Sequence, residues 1–313
     1  MKLVINIPCY NEARTLPLVL KEMPKKIKGI SKIEVQVIDD GSSDGTAEVA
    51  RKLGVDRVII HKHNKGLGNA FKTGVDAALE AGCDIFVNTD ADNQYPSSYI
   101  KDLVKPVLEH KADMVIGDRE TSKIRHFSPL KKLFQKFGSY VVRKLSGTDV
   151  RDTVSGFRAY SKDALLKLNV ISKFSYCIDT IVQAGKKNLT VLDIRIHTNA
   201  PTRRSRLFKN MFQHMKKSGA NLVRVYVMYE PFKTFFYLSL IFGIPGLLFY
   251  LRFLINWFLG GTTGMVQSLL AGTALIIISV IIFCIGILAD LNALNRTLAE
   301  EQLYMVKKLR YGK

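Results

Sequence analysis

The sequence predicts an α/β fold: a mostly parallel sheet with helices on both faces, followed by basic amphipathic helices and a C-terminal two-helix transmembrane hairpin. Three observations carry that expectation. Short apolar runs that end in polar residues alternate with helical patterns through the first ~120 residues, as in βαβ units. From Phe253 to Ala289 there is no charged residue, a gap of 37 in a chain that is 23% charged. The formal charge of +19 gathers largely between and beside these two regions rather than spreading evenly.

The elements follow in order. "LVINIP" (3–8), "EVQVIDD" (34–40), "RVII" (57–60), "DIFVNTD" (84–90) and "DMVIG" (113–117) read as strands. Between them, Ala13–Met23, Thr46–Leu53, Gly68–Ala81 and Ser97–His110 carry helical patterns. Strands this short and apolar are buried on both faces. Ligands in such folds bind beyond the carboxyl ends of the strands. Asn11 and Glu12, Asp39 and Asp40, and Asp90 and Asp92 stand at three of those ends.

Residues 1–204 are therefore expected to form one α/β domain with a ligand crevice, the catalytic domain of the resemblance given below. Within it, 128–145 repeats Leu130, Leu133, Phe134, Phe137, Val141 and Leu145 at helical spacing, with lysines and arginines around them. That composition suits a helix lying on a membrane surface, although ordinary packing on the sheet gives the same pattern. The basic stretch 205–231 reads the same way.

Residues 232–290 hold the hairpin, with spans at about 232–258 and 268–289, each long enough for a bilayer of ~20 apolar residues. A buried hairpin in a soluble protein is the alternative. Lys209, Lys216, Lys217, Arg224 and Lys233 precede it, and Arg296, Lys307, Lys308, Arg310 and Lys313 follow in a basic tail, 291–313. The positive-inside tendency then puts the catalytic domain and both termini in the cytoplasm. Arg252 interrupts the first span and has no assigned role.

Cys9, Cys83, Cys177 and Cys284 lack metal-ligand spacing and read as reduced thiols. No secretory signal is expected at the N-terminus. No nucleic-acid motif accompanies the basic charge, so nucleic acid is not an expected partner.

Asp90-Ala91-Asp92 places two carboxylates at a strand end, where alternation lets both face one way. They read either as a solvated turn or as ligands for Mg²⁺ or Mn²⁺, with Gln94 lending an oxygen and substrate phosphates completing the shell. In "DDGSSDGT" the turn leaves Asp40 to accept from a base or ribose, as acidic residues do in nucleotide sites. Glu12 stands at the neighbouring strand end.

P-C-Y-N-E, V-I-D-D-G-S-S-D-G-T, N-K-G-L-G-N-A, D-A-D-N-Q-Y-P and V-S-G-F-R-A-Y-S, in that order, resemble the family-2 glycosyltransferases of GT-A (Rossmann-like) fold. With the hairpin, the chain is similar to the polyprenyl-phosphate sugar transferases, among them dolichyl-phosphate mannose synthases and bacterial polyprenyl-phosphate glucosyltransferases. The resemblance implies nucleotide-sugar contacts at Pro8, Asn11, Glu12, Asp40 and Asp90, and a metal site at Asp90, Asp92 and Gln94. It implies active-site roles for Asp92 and Arg119. Ser155 and Arg158 match its acceptor motif, with Arg158 also in a catalytic role, and Arg203, Arg204 and Arg206 stand where the family closes a basic loop over the diphosphate. Lys131 and Lys132 stand where an arginine commonly meets the acceptor phosphate. The metal motif reads D-A-D-N-Q-Y where mannose synthases usually have D-A-D-L-Q-H, so the sugar stays open.

The implied reaction is inverting transfer of one sugar from a UDP- or GDP-linked donor to a polyprenyl or dolichyl phosphate. A phosphate monoester, with its second pKa near ~6, needs no strong base. A non-phosphorylated lipid or glycan acceptor would need one, and Asp179 is the candidate. A membrane-anchored protein that only binds nucleotide sugar is the non-enzymatic alternative. A homo-oligomer is left open.

Overall fold

The computed structural model describes residues 1–120, 129–170, 176–200, 211–261 and 265–312; side chains 129–135 and 211–218 fall outside that description. The described residues form two compact units, Met1–Leu222 with Gln302–Lys313, and Val223–Glu301.

In the first unit, β1 (Lys2–Cys9), β2 (Lys32–Asp39), β3 (Arg57–Ile60), β4 (Ile85–Asn88) and β5 (Met114–Asp118) appear where the apolar runs place them. Two strands are additional: β6 (Arg158–Ser161) and β7 (Val191–Arg195). The sheet order is β3-β2-β1-β4-β6-β5-β7. β1 is parallel to both β2 and β4, while β6 is antiparallel to β4 and β5. The chain leaves β1 to one side for β2 and β3, then crosses to the other for β4. That reversal opens a crevice between the carboxyl ends of β1 and β4.

Helices α1 (Leu16–Lys21), α2 (Thr46–Lys52), α3 (Leu67–Glu80), α4 (Ile100–Leu108) and α5 (Pro129–Ser146) follow the strands in turn. α6 (Lys162–Lys167) and α7 (Cys177–Lys186) complete the αβ part. Leu3, Ile5, Ile85, Val87 and Val115 join Leu103, Val104 and Val107 of α4 in one fully buried cluster. On α5, Ser139, Val142 and Leu145 are buried, whereas Lys136, Phe137, Tyr140 and Lys144 face outward. α8 (Met211–Tyr229) follows.

Expected as a tail, 291–313 is helical through Tyr311. The end of this helix docks in the first unit: Tyr304 Oη donates to Asp163 at 3.1 Å and Lys307 Nζ to Asn169 Oδ1 at 2.8 Å, and Arg310 pairs with Glu80 at 3.0 Å.

The second unit is built on α9 (Pro231–Phe258) and α10 (Val266–Tyr311), both long and apolar enough to cross a membrane. Glycines let the two backbones touch: a Cβ on Gly246 would meet Gly272 O at 3.2 Å, and one on Gly272 would meet Gly246 O at 3.1 Å. Ser279 Oγ donates to Ser239 O at 2.8 Å, and Tyr250 bonds Thr273 at 2.7 Å. Many large apolar side chains face outward, Ile241, Leu247, Leu270 and Leu288 among them. Arg252 is exposed on α9.

Candidate active site

The crevice is assembled from loops that tie the strand ends together. After β1, Asn11 adopts a left-handed conformation (φ 57°), its N–H donating to Ser42 Oγ at 2.8 Å and its Oδ1 accepting from Ser43 N at 2.8 Å. Glu12 is buried: its N–H donates to Thr46 Oγ1 at 2.9 Å and its carboxylate accepts from Thr15 Oγ1 at 2.5 Å. Pro8 is the penultimate residue of β1. The β1 and β2 ends thus form one rigid lip.

Asp40 departs from the expectation that it is left to accept from a base or ribose. Its carboxylate is buried and accepts from Lys65 N at 2.9 Å and Gly66 N at 2.8 Å, and it meets His61 Nδ1 at 2.7 Å. Those bonds tie the loop between β3 and α3 to the end of β2, so the acceptor capacity of Asp40 is largely spent inside the protein.

Across the crevice, Asp90, Asp92 and Gln94 follow β4, all half-buried. Gln94 N donates to Asp92 Oδ1 at 3.1 Å, and Asn93 is left-handed (φ 59°). Asn199 clamps the loop, donating through its backbone N to Gln94 O at 3.0 Å and through Nδ2 to Asn93 O at 2.9 Å. Among the described residues no group of three or more His, Cys, Asp or Glu side chains would hold a metal. The donor types this loop carries, the carboxylates of Asp90 and Asp92 and the amide of Gln94, do fit the chemistry of a hard cation whose remaining ligands are water and substrate phosphate.

Arg119, just past β5, pairs with the buried Asp152. Burial works against its charge, but the Asp152 carboxylate, by charge and hydrogen bond, and the Asp90 carboxylate outweigh it and hold the guanidinium well above its ordinary pKa. Asp90 and Arg119 therefore lie in one electrostatic field.

Arg158 is a correction. Expected to touch the acceptor, it is fully buried: Nε donates to Ser155 O at 2.7 Å, Nη1 to Cys177 O and Thr180 Oγ1 at 2.9 Å, and Nη2 to Thr153 O at 3.1 Å. The guanidinium staples the turn before β6 to α7 and does not open to solvent. Ser155 is equally buried. Asp179 is buried on the first turn of α7. Arg203, Arg204 and Arg206 lie outside the described residues, as do the side chains of Lys131 and Lys132.

Beneath the crevice runs a buried row of amides that the strand motifs did not reveal. Gln36, Asn6 and Asn88 are register partners on β2, β1 and β4. Gln36 Nε2 donates to Asn6 Oδ1 at 2.8 Å, and Asn6 Nδ2 to Asn88 Oδ1 at 2.7 Å. Asn88 Nδ2 then donates to Tyr176 Oη at 2.7 Å and Gly156 O at 3.1 Å. The signal was available for Asn6, an amide inside the apolar run of β1, whereas Gln36 lies in a strand with other polar residues and Asn88 ends β4. Tyr95 is buried against Phe157, ring centroids 5.1 Å apart. Burial, with Asp90 and Asp152 adding and Arg119 opposing, pushes its phenol up, so it stays neutral.

The sequence profile of glycosyl transferase family 2 matches residues 4–168. The UDP-N-acetylglucosamine–dolichyl-phosphate N-acetylglucosaminyltransferase of Methanococcus voltae is 30% identical over 213 residues, 61% of this chain and 83% of that protein. The polyprenol monophosphomannose synthase of Mycolicibacterium smegmatis is 30% identical over 204 residues, 62% of this chain and 76% of that protein. Glucosyl-3-phosphoglycerate synthase from Mycobacterium tuberculosis, solved with Mn²⁺, UDP-glucose and phosphoglyceric acid, superposes with a TM-score of 0.56 at 19% identity, over 72% of this chain and 78% of that one. That last likeness is one of fold, the GT-A arrangement expected from the sequence. With the family profile covering more than half of its length, the chain belongs to glycosyl transferase family 2.

Proposed function

We propose that the protein moves one sugar from a UDP- or GDP-linked donor to a polyprenyl or dolichyl phosphate, with inversion, at the cytoplasmic face of a membrane. The observation that carries this reading is the coexistence, in one chain, of the acidic crevice at the β1 and β4 ends with two apolar helices long enough to span a bilayer. Two relatives support it, one named for transfer of N-acetylglucosamine from its UDP-linked form to dolichyl phosphate and one for synthesis of polyprenol monophosphomannose.

On this reading the lip around Asn11 and Glu12 receives the nucleoside, and Asp90, Asp92 and Gln94 hold Mg²⁺ or Mn²⁺. The bound ion would supply charge stabilisation for the departing diphosphate. Arg119, fixed by Asp152, adds a cation beside Asp90 and orients the phosphate groups. Lys131, Lys132, Arg203, Arg204 and Arg206 are assigned to the same anionic substrates from their places in the sequence. The acceptor phosphate is largely ionised near neutral pH and attacks without a protein base. The outward Phe137, Tyr140, Lys136 and Lys144 of α5 suit an anionic bilayer surface, where the acceptor headgroup lies. Basic residues on both sides of the hairpin support cytoplasmic termini.

The test is incubation of the purified full chain with a panel of UDP- and GDP-sugars, a short polyprenyl phosphate and Mn²⁺ or Mg²⁺. Metal-dependent formation of a lipid-phosphate sugar is expected, and Asp92→Ala is expected to lose it by at least about 100-fold. No product from any donor by intact protein overturns the reading.

A further inference from the structure

Gly156 sits in the turn before β6, and its surroundings explain why no side chain is there. Its φ lies outside the left-handed region, so its backbone does not demand glycine. What a side chain would meet is the cation site: a Cβ would lie 3.0 and 3.2 Å from the two carboxylate oxygens of Asp90 and 3.1 Å from Tyr176 Oη. Asp90 therefore rests directly on this peptide.

The peptide is pinned on both sides. Its N–H donates to Tyr95 Oη at 3.3 Å, and its carbonyl accepts from Tyr176 Oη at 3.0 Å and Asn88 Nδ2 at 3.1 Å. The proton inventory closes: Asn88 spends its two N–H groups on Tyr176 and Gly156, and Tyr176 spends its hydroxyl proton on Gly156. Phe71 stacks on Tyr176 at 3.9 Å and 5°, which fixes the ring plane. The amide row from Gln36 thus ends on the surface against which Asp90 lies.

We propose that Gly156, held by Tyr176 and Tyr95, positions the Asp90 carboxylate, so that the Ser155–Phe157 turn is the back wall of the cation site. The inference rests on Asp90 serving as a metal ligand in the proposed function. Groups that orient a metal ligand typically change affinity by about 10–100-fold when altered.

The experiment measures Mn²⁺ binding to the full chain in detergent by loss of the free-ion EPR signal, with UDP or GDP present, alongside thermal melting. Gly156→Ala is expected to weaken Mn²⁺ binding roughly tenfold or more. Melting should stay cooperative, and saturating Mn²⁺ should recover turnover. Tyr176→Phe keeps the ring stack and removes only the hydroxyl, so it serves if the alanine variant does not fold; a few-fold weaker affinity is expected. Parent-like Mn²⁺ affinity in a folded Gly156→Ala, or in Tyr176→Phe, overturns the inference alone. A parent protein that binds no Mn²⁺ with either nucleotide overturns the metal role of Asp90 and the inference with it.

Discussion

Arg119 and Asp152 meet in a bidentate ion pair, Nε to Oδ2 at 2.6 Å and Nη2 to Oδ1 at 3.0 Å. Their side chains are only 11% and 1% exposed, so little water screens the pair. Removing one partner strands the other charge. Asp152→Ala should cost about 3–5 kcal/mol by denaturant unfolding. The Arg119→Ala/Asp152→Ala double variant should recover part of that loss, a coupling that a double-mutant cycle reads.

Arg158 provides a test that separates structure from catalysis. Arg158→Lys leaves carbonyls of Ser155, Cys177 and Thr153 competing for one ammonium group. We expect destabilisation of at least about 2 kcal/mol, since buried unsatisfied acceptors each cost of the order of 1–3. The KM for acceptor should stay near the parent value in protein that remains folded. A selective rise in acceptor KM at unchanged stability would return Arg158 to the acceptor site.

Gly74 is a second glycine set by space. A Cβ there would overlap Asn6 Oδ1. In a helix interior alanine normally gains about 1 kcal/mol over glycine, but here it breaks the amide row. Gly74→Ala should therefore destabilise, by about 1–3 kcal/mol.

Asp118 should give a pH signature. Burial, with Asp152 and Asp193 adding, raises its pKa above the ordinary carboxylate value. The folded state then holds this proton more tightly than the unfolded chain does. Its contribution is fully present below the unfolded pKa and is lost as pH rises through the folded one. Asp118→Asn, which keeps an acceptor for Glu120 N, should melt higher than the parent at pH 7. The two melting curves should converge as pH falls below the ordinary carboxylate range.

In the hairpin, Gly246 and Gly272 hold two backbones in contact. Gly272→Leu has no room at that crossing and should lower the melting temperature in detergent, with aggregation by size-exclusion chromatography. Leu270→Ala, on the outward face, should change neither.

Much was legible in the sequence because periodicity and strand-end chemistry are local. The five strands of the first ~120 residues, the helices between them and the apolar hairpin follow from spacing and hydropathy, which the chain carries within a few turns. Asp90, Asp92, Asn11 and Glu12 could be placed at strand ends for the same reason. β6 and β7 were missed. The run at Arg158–Ser161 carries an arginine and two polar or amphipathic neighbours, and becomes a strand only by pairing with β4 and β5.

What only tertiary structure decided is which polar side chains face the crevice and which are spent inside. Asp40 and Arg158 have the residue types of a binding site, yet His61, Lys65, Gly66 and the carbonyls around α7 consume them. Those partners come from 21 to 26 residues away for Asp40 and up to 22 for Arg158, through contacts that no local pattern encodes. The sequence by itself determined an α/β domain with acidic strand ends and a membrane-length hairpin. The packing decided that Asp90 rests on Gly156, because only the folded sheet brings β4 beside β6.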